Sequence, residues 1–273
     1  MSRVSSLVFG TVVAAVALSV TGCQVQASIK TKTRFTEPNV VREDTADWDG
    51  QQRIEIKIEG VGAALNGGVK VIADPSVKKV KATARMLAMA FSEEKESADL
   101  SIAEAKNTFT LSNSGDAITV SCGHGGSHAS SNAGESGCEL VEVVIPAGSA
   151  DKPLDLKVLS GNGGLVLQLS NATLKNLGTN AHGLTNADVP ATKGANISLV
   201  GQEADDIAVK LPADFAADEV ILQADEDKIE LGPFADIKNG SGAGGRGQAG
   251  TGLASLKLTS KEFAGSTGKI TLR

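Results

Sequence analysis

The stretch Leu154-Asp155-Leu156-Lys157-Val158-Leu159-Ser160-Gly161-Asn162-Gly163-Gly164-Leu165-Val166-Leu167-Gln168-Leu169 decides the fold. Apolar side chains at 154, 156 and 158 alternate with Asp155 and Lys157, the period of two that buries one face of a strand. A Ser-Gly-Asn-Gly-Gly turn follows, and Leu165, Leu167 and Leu169 repeat the pattern on its far side. Two short strands joined by a glycine-rich corner form a unit that cannot bury its apolar face alone. It needs neighbours of the same kind.

Such neighbours recur toward the C-terminus as Ile197/Leu199, Ile207/Val209/Leu211, Val220/Leu222, Ile229/Leu231, Leu256/Leu258 and Ile270/Leu272, separated by Gly, Asn, Asp or Ser. Toward the N-terminus, Ile54, Ile56 and Ile58 alternate with Arg53, Glu55, Lys57 and Glu59. Val69–Ile72 follows Asn66-Gly67-Gly68, and Val80–Met89 alternates again. Residues 108–111 and 117–120 flank a Ser-Gly-Asp turn and predict a hairpin, while Leu140–Ile145 predicts a strand ending at Pro146. One short helix is expected after Ser92, whose hydroxyl precedes Glu93 and Glu94 and is followed by Ala98, Ile102 and Ala105 near helical spacing. Many short strands with irregular spacing give a mainly β domain, either a parallel β-solenoid-like stack or, as the alternative, a β-sandwich.

The composition agrees with thin β layers. Of 273 residues, 41% are hydrophobic but only 3% aromatic, with 31 glycines, so Val, Ile, Leu and Ala must fill the core. The net charge of −6 lacks the clustered basic surface of a nucleic-acid binder, and no nucleic acid is expected as a partner.

The N-terminus reads as an export signal: Arg3, then an apolar run from Leu7 to Val20 that is shorter than the roughly 20 apolar residues a membrane span needs. It ends at Val20-Thr21-Gly22-Cys23, which resembles the bacterial lipobox. The resemblance implies removal of residues 1–22, lipidation of Cys23 and stable membrane anchoring. Gln24 after the lipidated Cys resembles an outer-membrane address. Residues 23–50 read as a lipidated tether, against which Val40, Val41 and Trp48 can dock, and 51–273 as a single domain.

The ordered run Val141–Pro146, Leu154–Val158, Ser160-Gly161-Asn162-Gly163 and Leu165–Leu167, with Lys210–Phe215 and the closing Gly250–Leu272, resembles the putative-adhesin family, domain of unknown function 4097. The resemblance covers residues 52–273. It implies a right-handed β-solenoid-like domain on the cell envelope with no established enzymatic chemistry.

Candidate chemistry is sparse. Cys122 and Cys138 bracket a polar loop of 15 residues and, in an exported protein, predict a disulfide. The alternative is a zinc or copper site from Cys122, His124, His128 and Cys138, although that spacing matches no familiar finger. Gly240–Gly245 matches Gly-x-Gly-x-x-Gly, but no buried strand leads into it and no helix follows, so a flexible turn is expected. Gly265–Ile270 lacks the spacing of a phosphate loop. His182 has no nucleophile elbow to serve. Glu203, Asp205 and Asp206, and Asp225, Glu226 and Asp227, offer oxygen ligands for Ca²⁺ and equally suit solvated turns. The chain thus reads as a non-enzymatic, lipid-anchored envelope protein without a cofactor. Its partners are the membrane, through the lipid, and an envelope protein or polysaccharide. The alternative function is metal handling or signal sensing through the Cys122–Cys138 loop.

Overall fold

The computed structural model describes residues 33–36, 40–50, 53–59, 68–92, 95, 109–123, 125–126, 134–161, 163–190, 192–235 and 253–273. They are mainly β and fall within one compact unit, Lys32–Arg273. The N-terminal half contains β1 (Thr33–Thr36), β2 (Val40–Asp47), β3 (Arg53–Ile58), β4 (Gly68–Asp74), β5 (Lys79–Ser92), β6 (Phe109–Asn113), β7 (Ala117–Cys122), β8 (Gly125–Gly126) and β9 (Gly134–Pro146). The C-terminal half continues with β10 (Leu154–Ser160), β11 (Leu165–Gln168), β12 (Leu174–Ala181), β13 (Thr185–Asp188), β14 (Asn196–Gly201), β15 (Ile207–Lys210), β16 (Ala217–Gln223), β17 (Ile229–Glu230), β18 (Leu253–Ser260) and β19 (Ile270–Leu272).

From β10 onward the chain crosses between two sheets at every corner. Even-numbered strands join an eight-stranded sheet in the order β16-β18-β14-β12-β10-β3-β7-β6. Odd-numbered strands join a sheet of 11 whose main path is β1-β5-β9-β4-β11-β13-β15-β19-β17. Neighbours in this half are parallel and in register, for example Leu156↔Leu177↔Ile197↔Leu256 in one sheet and Leu167↔Ala187↔Val209↔Leu272 in the other. Every residue in these two rows is buried, and they belong to one apolar cluster shared by both sheets. The alternation seen in the sequence is therefore the alternation of the core: β10 buries 154, 156, 158 and 160, and β11 buries 165 and 167.

The corner after β10 shows why its sequence is glycine-rich. Gly164 has φ +82°, and a Cβ there would lie 2.7 Å from the Leu184 carbonyl oxygen of the next layer. The buried Ser160 hydroxyl donates to the Gly164 carbonyl at 2.7 Å and closes the turn. Layers then approach at backbone distance, which a side chain at 164 would prevent.

The N-terminal half adds antiparallel pairs to this parallel frame. β5 pairs antiparallel with β9 on one side and with β1 and β2 on the other, and β6 pairs antiparallel with β7. Residues 33–36 and 40–47, read from the sequence as tether, are thus strands. The signal there was weak because β2 is a charged edge strand whose ion pairs, Glu43–Lys81 and Asp47–Lys79, replace an apolar alternation. β9 also begins earlier than its apolar stretch, since Ser136 and Glu135 pair with Gly125 and Gly126 of β8 inside the expected polar loop. The helix expected after Ser92 lies outside the described residues except for Lys95, and Ser92 itself ends β5.

Candidate functional site

The outer face of the eight-stranded sheet carries rows of side chains in parallel register. Because 154, 156 and 158 point inward, Asp155, Lys157 and Leu159 point outward, and the parallel register carries this alternation from strand to strand. One outer row runs Arg53, Asp155, Asn176, Asn196, Ser255, Glu219. The next runs Glu55, Lys157, Gly178, Ser198, Lys257, and a third runs Lys57, Leu159, Asn180, Val200, Thr259, Gln223. Residues far apart in sequence therefore stand about 4.8 Å apart along each row.

The first and third of these rows carry side-chain hydrogen bonds between strands. The Ser255 hydroxyl donates to Asn196 Oδ1 at 2.9 Å, and Asn196 Nδ2 donates to Asn176 Oδ1 at 3.4 Å. Arg53 Nε donates to Asp155 Oδ2 at 3.4 Å. Asn180 accepts from Gln202, which accepts in turn from Lys261 Nζ at 2.9 Å. Between the ladders lies a shallow depression of about 550 Å³ whose wall includes Lys157, Asn176, Asn180 and Ser198. Gly178 forms part of it, and a Cβ there would meet nothing within 4 Å.

Charge on this face is paired at one border. Lys57 Nζ lies 2.6 Å from Glu55, and that hydrogen bond leads the causes that hold the Glu55 carboxyl below its usual range. Asp155 raises the Arg53 guanidinium, first through its charge and then through the hydrogen bond. Toward β12 and β14 the face is instead mainly amides, hydroxyls and a glycine, with Val200 among them. Such groups can bind a flat, hydroxyl-rich or amide-rich partner by many weak hydrogen bonds.

The described residues singled out in the sequence lie elsewhere. Cys122 and Cys138 are buried and joined as a disulfide that links β7 of one sheet to β9 of the other. Joined sulfurs are not thiolate ligands, and His124 and His128 lie outside the described residues, as do Cys23 and Gly240–Gly245. His182 Nδ1 stands 3.9 Å from Glu203 at the surface. Glu203 and Ala204 adopt positive φ in the turn before Asp205 and Asp206. Asp206 accepts the Lys269 amide at 2.7 Å, and Asp225 exchanges hydrogen bonds with Thr267, so both acidic groups act as turn fasteners. Among the described residues no three His, Cys, Asp or Glu side chains gather as a metal site. Gly265, at φ +83°, belongs to the tight loop before β19 rather than to a strand-to-helix phosphate cradle. The polar ladder escaped sequence reading because each of its members is unremarkable alone. The available signal was that Asn176 and Asn196 each stand immediately before an apolar residue, Leu177 and Ile197, that is buried.

No protein-family model matches the chain, and no curated protein matches it, so the resemblance to domain of unknown function 4097 rests on the quoted motifs. A solved structure does match: a "putative cell adhesion protein" from Clostridium sporogenes ATCC 15579, with a TM-score of 0.52 at 12% identity over 86% of this chain and 99% of that one. At that identity the likeness is one of fold, and the chain is similar in architecture to a protein given that description.

Proposed function

We propose that the chain is a non-enzymatic envelope protein, anchored by lipid at Cys23, whose right-handed solenoid-like β stack presents the outer face of its eight-stranded sheet for adhesion. The partner is an envelope polysaccharide or another envelope component. The observation that carries this reading is the Asn176–Asn196–Ser255 ladder beside the Gly178 depression. It is a preordered row of donors and acceptors on a face with no core to build. Parallel pairing from β10 to β19 supports a stack rather than a sandwich, and the fold-level likeness to the Clostridium protein favours adhesion over catalysis. The reading of a lipid anchor rests on the lipobox-like Val20-Thr21-Gly22-Cys23; no helix among the described residues is long and apolar enough to cross a membrane.

Gly178→Arg tests the face, because the new side chain enters open space and fills the depression without touching the core. Cells bearing the full-length tagged chain are assayed for retention of isolated envelope polysaccharide and for whole-cell antibody access before and after outer-membrane permeabilisation. Loss of retention by Gly178→Arg at unchanged expression is expected, and unchanged retention overturns the assignment of the face. Cys23→Ser is expected to release the chain from the membrane fraction.

A further inference from the structure

Away from that face, three loops meet at a corner cleft of about 490 Å³: the end of β2 through Gly50, the β4–β5 turn and the β9–β10 connection. Trp48, the chain's single tryptophan, lines it while packing partly against the core. Pro75, Val77 and Pro146 add apolar wall, and Lys78 and Lys152 supply two ammoniums against the one carboxylate of Asp49. The cleft lining thus carries a local positive excess on a chain of net charge −6. Lys78 is exposed and pairs with no carboxylate among the described residues.

The cleft is built rather than incidental. Lys152 Nζ donates to the Asp49 carbonyl at 2.6 Å, and Ser149 and Lys152 exchange backbone hydrogen bonds of 3.0 and 3.1 Å. Gly50, at φ +91°, leaves the space that the Lys152 stem occupies, since a Cβ would fall 2.2 Å from Lys152 Cδ. On the facing loop, Asp74 accepts from the Ser76 hydroxyl and amide at 2.7 and 2.8 Å, which fixes the turn that carries Lys78. None of these residues lies on the ladder face.

We propose that this cleft is a second binding site, one that takes an acidic sugar: a pyranose ring whose apolar C–H face packs on Trp48 and whose carboxylate meets Lys78 and Lys152. A large, stiff indole gives apolar area at low entropic cost, and a few placed charges give orientation. Neutral sugars offer the ammoniums only hydroxyl oxygens and no charge, and oligoglutamate lacks the pyranose ring.

The protein carries its own reporter, because it has one tryptophan and no tyrosine. Purified full-length chain in detergent is titrated with trigalacturonate, its methyl ester and tetraglutamate while tryptophan emission is followed, and each titration is repeated by calorimetry. A saturable change with trigalacturonate, about tenfold weaker for the ester and about tenfold weaker in Lys78→Glu, is expected. Lys78 is exposed, so that variant keeps its fold, and the calorimetric signal is expected to vanish in Trp48→Ala. Equal binding of ester and acid, preference for tetraglutamate, or no saturable response overturns the proposal. Because Gly178→Arg leaves this cleft intact, its retained trigalacturonate response separates the two sites.

Discussion

Asp225 and Thr267 hold each other in both directions: the Asp225 amide donates to Thr267 Oγ1 at 2.8 Å, and the Thr267 amide donates to Asp225 Oδ2 at 3.0 Å. This exchange ties the segment after β16 to the loop before β19. The Thr267 backbone hydrogen bond, followed by that of its side chain, holds the Asp225 carboxyl below its usual range. A carboxylate depressed in the folded state contributes stability that is present above its unfolded pKa and lost as pH falls through the folded one. Asp225→Asn is therefore expected to lower the urea midpoint at neutral pH and to converge with the parent chain in acid. A pH series of denaturation curves reads both effects.

Asp205 behaves in the opposite sense. Burial pushes its carboxyl up, against the Gly183 amide and the nearby His182, and its Oδ2 has no hydrogen-bond partner. A raised carboxyl favours folding below its unfolded pKa, and that contribution is lost as pH rises through the folded value. Asp205→Asn is expected to stabilise the protein by about 1 kcal/mol at neutral pH. The gain disappears in acid, where the native carboxyl is already protonated, and thermal unfolding at the two extremes measures it.

Gly268 lies where two segments touch. A Cβ there would stand 2.2 Å from the Ala204 carbonyl oxygen, and the Gly268 amide donates to Ser260 Oγ at 2.8 Å while that hydroxyl donates to the Asp205 carbonyl at 2.9 Å. Gly268→Ala must push β19 away from β15 or break this chain. A loss of about 3 kcal/mol is expected, with hydrogen exchange accelerated first in 270–272.

The disulfide between Cys122 and Cys138 closes a sequence separation of 16 and crosses from one sheet to the other. Replacing both cysteines by Ala is expected to cost about 3 kcal/mol by the loop-entropy argument. Thiol titration of the unfolded parent should find neither sulfur free until reductant is added. Two titratable thiols without reductant would remove the crosslink from the account.

The strands were legible wherever one face was apolar and the other polar. Ile54, Ile56 and Ile58 are all buried in β3, and the later pairs from Ile197/Leu199 to Ile270/Leu272 line the core, with Ile229 and Leu231 only partly covered. What alternation cannot show is pairing. That Asn196 meets both Asn176 and Ser255 follows from register, which is set by corner geometry and by which apolar faces meet. The polar face was invisible for that reason, and β2 was missed because its identity lies in cross-strand ion pairs. Trp48 was read as a docking residue, which matches its partial packing on the core. Its cleft emerges only when Pro75 and Lys152 arrive from other loops.

The antiparallel β6 has a consequence for crowding. It is five residues long, mostly exposed, and lies against β7 where the parallel series would otherwise continue, with Thr110 already satisfied by Ser121 at 2.8 Å. A second molecule approaching this end meets a reversed, hydroxyl-studded rim instead of a template for one more rung. Because that rim is only five residues long, a second copy pairing there would gain few main-chain hydrogen bonds.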